Sequence, residues 1–140
     1  MTPAIRNEVL HRRRKGRTDR IAAVARWAAA LPASLDVRAV AVFGSVARGD
    51  WRADSDIDVL VLGARLPATP VDRILALGEL PDRVQPVVWT PEEYRGRRPR
   101  DLIRSEAESV GVWILGSPQR IHGQPPSTTT GSRPQTAAQP

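Results

Sequence analysis

Two aspartates one residue apart, Asp56 and Asp58, are the side chains whose type and spacing point most directly to chemistry. They open the apolar run Asp56–Leu62, which its β-branched residues predict to be a strand. Side chains alternate along a strand, so both carboxylates project from one face, roughly 7 Å apart. Carboxylates this close repel each other, and a divalent cation between them removes the repulsion. Mg²⁺ is the hard ion that accepts carboxylate oxygens and keeps positions open for phosphates.

A Gly-Ser pair, Gly44 and Ser45, directly follows Arg38–Phe43, a second predicted strand, and ten residues separate it from Asp56. Without a side chain, Gly44 lets the backbone approach a ligand closely. The N–H groups that follow and the Ser45 hydroxyl can donate to phosphate oxygens. Each half alone is common, whereas the combination is specific for a phosphate-binding turn beside a metal site. Such a centre favours nucleotidyl transfer.

This combination resembles the minimal nucleotidyltransferases (MNT) of the DNA polymerase beta superfamily, whose signature is Gly-Ser, about ten residues, then Asp-x-Asp. The fuller pattern Gly-Ser-x-Ala-Arg-Gly and Ser-Asp-x-Asp is also present, and the resemblance covers roughly residues 37–116. It implies binding of ATP or another NTP, Mg²⁺ as cofactor, and transfer of a nucleoside monophosphate. Carried over by position, triphosphate binding falls to Gly44 and Ser45, metal binding and catalysis to Asp56 and Asp58, and support of the phosphate loop to Arg48 and Ser55.

The chain departs from the resembled family at a third carboxylate. Active members usually carry one on a later strand, as general base or metal ligand, and the corresponding residue here is Gln85 in the predicted strand Val84–Trp89. A neutral amide cannot take a proton from a hydroxyl. The candidate substitutes are a partner's carboxylate or Asp54, Glu79 or Asp82. A catalytically inactive nucleotide- or protein-binding module of the same fold is therefore the alternative function.

The foldable length points to a protein partner, because about 80–110 residues hold a nucleotide-binding half and little more. Members of the resembled family of this size commonly act with a partner. Many resemble the antitoxin of HEPN–MNT toxin–antitoxin pairs, which transfers AMP to a tyrosine of the HEPN toxin or simply blocks it. The resemblance thus implies a HEPN-like toxin or another acceptor protein as partner. Transfer to a small molecule such as an aminoglycoside is a second, weaker alternative.

The flanking segments predict an α/β (α+β) fold, with a small mixed β-sheet of three to four strands flanked by helices. Pro86 inside the third strand favours an edge position, and Val112–Leu115 is the closing strand. Helices are predicted from Pro91 and over residues 100–109. A further helix is predicted over residues 70–80, with four apolar residues facing inward: Val71, Ile74, Leu75 and Leu77.

Charge and composition divide the chain into three parts. The 140 residues carry a net charge of +6, and the positive excess lies at the two ends. We predict a basic N-terminal helix or arm over residues 1–17, a nucleotidyltransferase domain over 18–116 and a disordered C-terminal tail over 117–140, which has few apolar side chains. Gly16 either separates two helices or weakens one long helix. The absence of cysteine excludes disulfides and thiolate metal sites.

The basic run Arg12–Lys15, together with Arg17, is interpreted as a solvated helix face or tail, and docking against an acidic partner surface is the alternative. Nucleic-acid binding is not expected, because no aromatic side chains interleave with these cations to stack bases. Trp51 is expected either to stack on a nucleobase or to be an exposed or interface aromatic. No apolar run approaches the roughly 18 residues that span a bilayer. Charged residues interrupt the apolar run after the basic stretch, so we predict a cytoplasmic location.

Overall fold

The computed structural model describes residues 3–123, in which a four-stranded mixed sheet is covered by helices on both faces. The strands are β1 (Val37–Phe43), β2 (Ile57–Gly63), β3 (Val84–Trp89) and β4 (Val112–Leu115). Their order is β3-β2-β1-β4, with β1 antiparallel to both β2 and β4, and β2 parallel to β3. The predicted fold class is confirmed, and Pro86 lies on an edge strand, where its missing N–H is tolerated.

Several of the α-helices in the described residues begin at a side-chain cap. The helices are α1 (Pro3–Ala29), α2 (Gly44–Arg48), α3 (Pro70–Ala76), α4 (Pro91–Gly96), α5 (Leu102–Ser109) and α6 (Pro118–Gly123). The side chains of Thr69, Thr90 and Asp101 cap α3, α4 and α5, each accepting a backbone N–H three residues further on. These caps fix the residues at which α4 and α5 begin, and α5 forms one wall of the site described below.

Side-chain alternation gives the sheet two buried faces. One face packs under α1 and α2 and includes Val40, Val42, Val59 and Val61. The other packs under α4, α5 and α6 and includes Ala41, Phe43, Leu60 and Leu62. Asp58 has the same parity on β2 as Leu60, so its side chain leaves the strand on the face that carries α5.

The N-terminal helix is continuous through Gly16, so α1 crosses the predicted boundary between arm and domain without a break. Of the two alternatives for Gly16, the structure contains the single long helix. Gly16 also has a packing role, because a Cβ there would lie 2.8 Å from the Trp51 ring. The basic N-terminal segment is thus part of a helix that reaches the sheet.

The third helix is shorter than predicted and is turned differently. Leu77 is buried as predicted, but the other three apolar residues are exposed: Val71, Ile74 and Leu75. Arg73 takes the inward side instead and pairs with Glu93 at 2.6 Å. The predicted orientation was wrong because the inward side of this helix carries Arg73, which hydrogen-bonds to Glu93 and to the Val88 carbonyl, beside the apolar contacts of Ala76 and Leu77 with the core.

The segment predicted to be a disordered tail begins with a helix. Ile121 of α6 is fully buried, and Arg95 Nη1 donates a hydrogen bond to its carbonyl at 2.9 Å. The prediction is therefore wrong for residues 118–123, because one apolar side chain suffices to dock a short helix when neighbouring groups bind its backbone. The rest of the predicted tail, residues 124–140, lies outside the described residues. Between residues 3 and 123 no helix combines the length and apolarity needed to cross a membrane.

Candidate functional site

The first part of the site is the turn at which β1 passes into α2. Phe43 ends β1 as the ladder partner of Asp58, and Gly44 begins α2 with no intervening loop. Gly44 has a φ of +73°, a left-handed conformation that favours glycine. A Cβ at Gly44 would lie 2.1 Å from Asp58 Oδ2. The register of β1 against β2 therefore brings the predicted phosphate turn into contact with a predicted metal ligand.

The short helix α2 presents two polar residues to the same side as this turn. Val46 and Ala47 pack into the core, so Ser45 and Arg48 face a cleft. Gly49 ends α2 with a φ of +94° and donates its N–H to the Ser45 carbonyl at 2.9 Å. The helix is thus held at both ends by glycines in left-handed conformations.

Two arginines of α1 bind the far end of α2, which sequence reasoning missed. Arg17 Nε and Nη2 donate to the carbonyls of Val46 and Ala47 at 2.9 and 3.0 Å. Arg13 Nη2 donates to the Gly49 carbonyl at 2.9 Å. Carbonyls at a helix C-terminus lack intrahelical partners and favour a cation. Part of the basic run therefore supports the Gly-Ser turn, rather than forming only a solvated face as predicted.

Trp51 is covered by α1, so both predicted positions for it were wrong. Its exposed fraction is 8%. The guanidinium carbons of Arg20 and Arg13 lie 4.1 and 4.9 Å from the centre of its ring. The ring is buried against cations of the same protein and is not available to a nucleobase.

The two aspartates occupy different environments at the start of β2. Asp56 is exposed, whereas Asp58 is half-buried. The turn that leads into them is closed by Ser55, whose Oγ accepts a hydrogen bond from the Arg52 N–H at 2.7 Å. Ser55 thereby fixes the point from which Asp56 projects.

Burial raises the pKa of Asp58, and the negative charge of Asp56 raises it further, while Arg48 opposes both effects. Among residues 3–123 no cluster of three or more His, Cys, Asp or Glu side chains could hold a metal ion. Two carboxylates nevertheless fit Mg²⁺, which proteins usually bind through one or two carboxylates together with substrate phosphates. A cation bound there would also offset the repulsion that raises the pKa of Asp58.

The structure brings all six predicted site residues to one cleft of about 470 Å³. They are Gly44, Ser45, Arg48, Ser55, Asp56 and Asp58. The opposite wall is α5, which contributes Leu102, Ile103 and Glu106. Leu102 lies at the rim and is 77% exposed. The cleft therefore combines phosphate-binding groups, two carboxylates and an apolar rim.

Glu106 is the ionisable cleft residue that sequence reasoning missed. It lies on α5, 58 positions after Arg48 in the chain, and forms an ion pair with that arginine across the cleft. One signal was available, because Ile103 and Glu106 are one helical turn apart and so share a face of α5. Nothing in the sequence indicates that this face meets the Gly-Ser turn.

Gln85 is the ladder partner of Asp58 in the parallel pair of β2 and β3, and it is exposed. An uncharged amide therefore stands beside the half-buried carboxylate. The carboxylates considered as substitutes do not line the cleft: Asp54, Glu79 and Asp82. Asp82 lines a different opening, next to Asp19 and Arg20.

A larger cleft, of about 540 Å³, lies beside the edge strand β3 and between α3 and α4. Its lining is mainly apolar, and its carboxylate, Glu93, pairs with Arg73 at 2.6 Å and caps α4. The Arg73 hydrogen bond lowers the pKa of Glu93, so this carboxylate is ionised and already partnered. The groups suited to phosphate chemistry are in the smaller cleft, which we therefore assign as the candidate site.

Comparison with known proteins identifies a matching family and solved structures with a similar fold. The family model described as a nucleotidyltransferase domain matches residues 28–117. A solved structure from Sulfolobus solfataricus, assigned as a nucleotidyltransferase, is 19% identical, covers 72% of this chain and 84% of that chain, and has a TM-score of 0.55. A toxin–antitoxin structure with AMP-PNP is 21% identical, covers 61% of this chain and 66% of that chain, and has a TM-score of 0.44. No curated protein matches the chain.

Proposed function

The chain belongs to the nucleotidyltransferase domain family, and from that premise we propose that it transfers a nucleoside monophosphate, AMP from ATP, to a hydroxyl group. One observation carries the proposal: the Gly44 turn lies against Asp58 in a cleft that also contains Ser45, Arg48 and Asp56. That single opening offers hydrogen-bond donors for a triphosphate and two oxygen ligands for a cation.

In this mechanism the β1–α2 turn holds the triphosphate. The N–H groups that follow Gly44 and the hydroxyl of Ser45 donate to phosphate oxygens. The planar guanidinium of Arg48, at the end of α2, can donate two parallel hydrogen bonds to a phosphate. Together these groups orient the α-phosphate towards the carboxylates of β2.

Asp56 and Asp58 would hold Mg²⁺, which when bound polarises the α-phosphate and neutralises the departing pyrophosphate. Ser55 keeps the turn in place from which Asp56 projects. The acceptor oxygen forms a bond to the α-phosphorus, the bond to the bridging oxygen breaks, and pyrophosphate leaves. The enzyme's contribution is mainly positioning and charge compensation.

We further propose that the acceptor hydroxyl belongs to a partner protein, such as the HEPN-like toxin of a HEPN–MNT pair, and that the reaction takes place in the cytoplasm. Leu102 is 77% exposed at the cleft rim. Exposed apolar side chains next to a reactive cleft are typical of surfaces that a partner covers.

The test follows label from ATP that carries ³²P at the α-phosphate, incubated with Mg²⁺, the full chain and the protein that co-purifies with it. We expect labelled partner and released pyrophosphate, and we expect Asp56→Asn and Asp58→Asn to abolish both while the variants remain folded. Asp82→Asn makes the same chemical change outside the cleft and is the matched control. Equal labelling by wild type and both cleft variants would refute the assignment.

Gln85 favours a second candidate function, a catalytically inactive module that binds nucleotide or a partner protein. Its amide stands on β3 beside Asp58, where it cannot accept a proton. This candidate predicts that the chain binds Mg·ATP and its partner but releases no pyrophosphate. Pyrophosphate release that depends on Asp58 would exclude it.

A further inference from the structure

The cleft contains three carboxylates, and the proposed function uses only two of them. Asp56 and Asp58 project from β2, whereas Glu106 projects from α5 on the opposite wall. The side chain of Glu106 is 20% exposed and forms an ion pair with Arg48. Metal binding by Asp56 and Asp58 gives no role to Glu106, which lies on a separate element and faces the proposed triphosphate site.

We propose that Glu106 is the proton acceptor for the attacking hydroxyl, a role that rests on the proposed nucleotidyl transfer. As the hydroxyl oxygen bonds to the α-phosphorus, its proton passes to a carboxylate oxygen of Glu106. The electron pair of the breaking bond leaves with the bridging oxygen as pyrophosphate. Charge and atoms balance within the chain, the nucleotide and the acceptor.

The other groups near the cleft are unsuited to this role. Gln85, the ladder partner of Asp58, is an amide without basicity. Asp56 and Asp58 are committed to the cation, which lowers their affinity for protons. Glu79 does not line the cleft and is exposed elsewhere. Glu106 is the remaining carboxylate among the cleft-lining residues that the structure describes.

The ion pair with Arg48 couples the base to substrate binding. Arg48 Nε also lies 3.4 Å from an Asp50 oxygen, so two carboxylates hold the guanidinium while no phosphate is bound. A triphosphate can take both guanidinium nitrogens of an arginine in parallel hydrogen bonds. When it binds Arg48, the carboxylate of Glu106 is released from the ion pair and is left facing the acceptor hydroxyl.

Glu106→Gln should therefore separate binding from turnover. We expect pyrophosphate release at saturating ATP, which counts transfer to any hydroxyl including water, to fall by about 100-fold or more. The affinity for α,β-methylene ATP, which cannot be cleaved, should stay the same or become several-fold tighter, because the change frees Arg48 and removes a negative charge facing the phosphates. Glu79→Gln is the matched control and should change neither quantity.

The outcomes distinguish this inference from the proposed function. Unchanged turnover in Glu106→Gln, or a parallel loss of turnover and of analogue binding, would overturn the role of Glu106 and leave nucleotidyl transfer standing. A wild-type chain that neither binds the analogue nor releases pyrophosphate would refute nucleotidyl transfer itself. If Glu106→Gln does not fold, Glu106→Asp is the deciding variant. Its shorter side chain draws the carboxylate back from the cleft, so it must lower turnover without lowering the affinity for the analogue.

Discussion

Gly44 and Asp58 are in such close contact that neither can change without affecting the other. The Cβ that Gly44 lacks would lie 2.1 Å from Oδ2 of Asp58 and 3.2 Å from its Cβ. The cause is the antiparallel register, in which Phe43 opposes Asp58 and the chain turns immediately afterwards. The backbone of the proposed phosphate turn thus lies so close to the proposed metal ligand that no side chain fits between them.

Gly44→Ala is expected to abolish nucleotide binding, because the new methyl group must displace the Asp58 carboxylate. It also places alanine at a φ of +73°, which costs about 1–2 kcal/mol. Gly49→Ala is the matched control, since Gly49 ends the same helix at a φ of +94° but has nothing within 4 Å of a new Cβ. Urea unfolding and titration with α,β-methylene ATP measure the two effects.

Both glycine variants should lose a similar amount of stability from backbone strain, and Gly44→Ala alone should also lose nucleotide binding. Equal nucleotide affinity in the two variants would contradict the proposed contact between turn, carboxylate and phosphate.

Gln85→Asp is expected to make the stability of the protein depend on Mg²⁺. The new carboxylate would stand directly beside Asp58 across the parallel ladder. Like charges on neighbouring strands destabilise a sheet by about 0.2–1 kcal/mol, and a bound cation reverses the effect. Thermal unfolding with and without Mg²⁺ should show a larger metal-induced rise in Tm than in wild type, and Gln85→Asn, which adds no charge, should not. An identical metal response in all three proteins would show that a carboxylate at position 85 does not reach a cation beside Asp58.

The features that were predictable from the sequence are those that depend on residues close together in the chain. Strand alternation predicts that Asp56 and Asp58 share a face, and a Gly-Ser pair after an apolar run predicts a tight strand-to-helix turn. Thr90 followed by Pro91 predicts the start of α4, which is confirmed with its capping box. The predicted mixed sheet is also confirmed. It was predictable because each strand has its own apolar pattern and its own turn residues.

What sequence reasoning missed depends on how helices pack on the sheet. The contacts of Arg17 with α2 and of Glu106 with Arg48 span 29 and 58 positions, and no local pattern specifies them. The inward face of α3 was predicted to carry only apolar residues, whereas it also carries Arg73, which contacts Val88 and Glu93. In each case long-range electrostatic contacts are made by one face of a helix, and the sequence alone does not distinguish that face from the others.

Arg17→Ala is expected to destabilise the protein by about 2 kcal/mol, because two backbone carbonyls at the end of α2 lose a charged donor. The loss should also weaken nucleotide binding, since α2 carries Ser45 and Arg48 into the cleft. Arg14→Ala is the control, because Arg14 is exposed on the same helix. Urea unfolding and analogue titration test both expectations. If the two variants behave alike, the support that α1 gives to the Gly-Ser turn is not real.

Glu108 is expected to make the docking of α6 sensitive to acid. Its Oε2 accepts a hydrogen bond from Tyr94 Oη at 2.6 Å and lies 2.8 Å from His122 Nε2. Burial works to raise the pKa of Glu108, but the hydrogen bonds of Tyr94 and His122 and the charge of Arg104 outweigh it, so the pKa lies below its ordinary value of 4.5.

A carboxyl whose pKa is lower in the folded than in the unfolded chain stabilises the fold above its ordinary pKa, and this contribution is lost as pH falls through the folded value. Glu108→Gln should therefore cost up to about 1 kcal/mol at neutral pH, because solvent screens this partly exposed carboxylate, and the difference from wild type should shrink as the solution is acidified below pH 4.5. Urea unfolding across that range measures it, with exposed Glu79→Gln as control. A difference that stays constant with pH would mean that packing of the side chain, rather than the charge of Glu108, holds α6 in place.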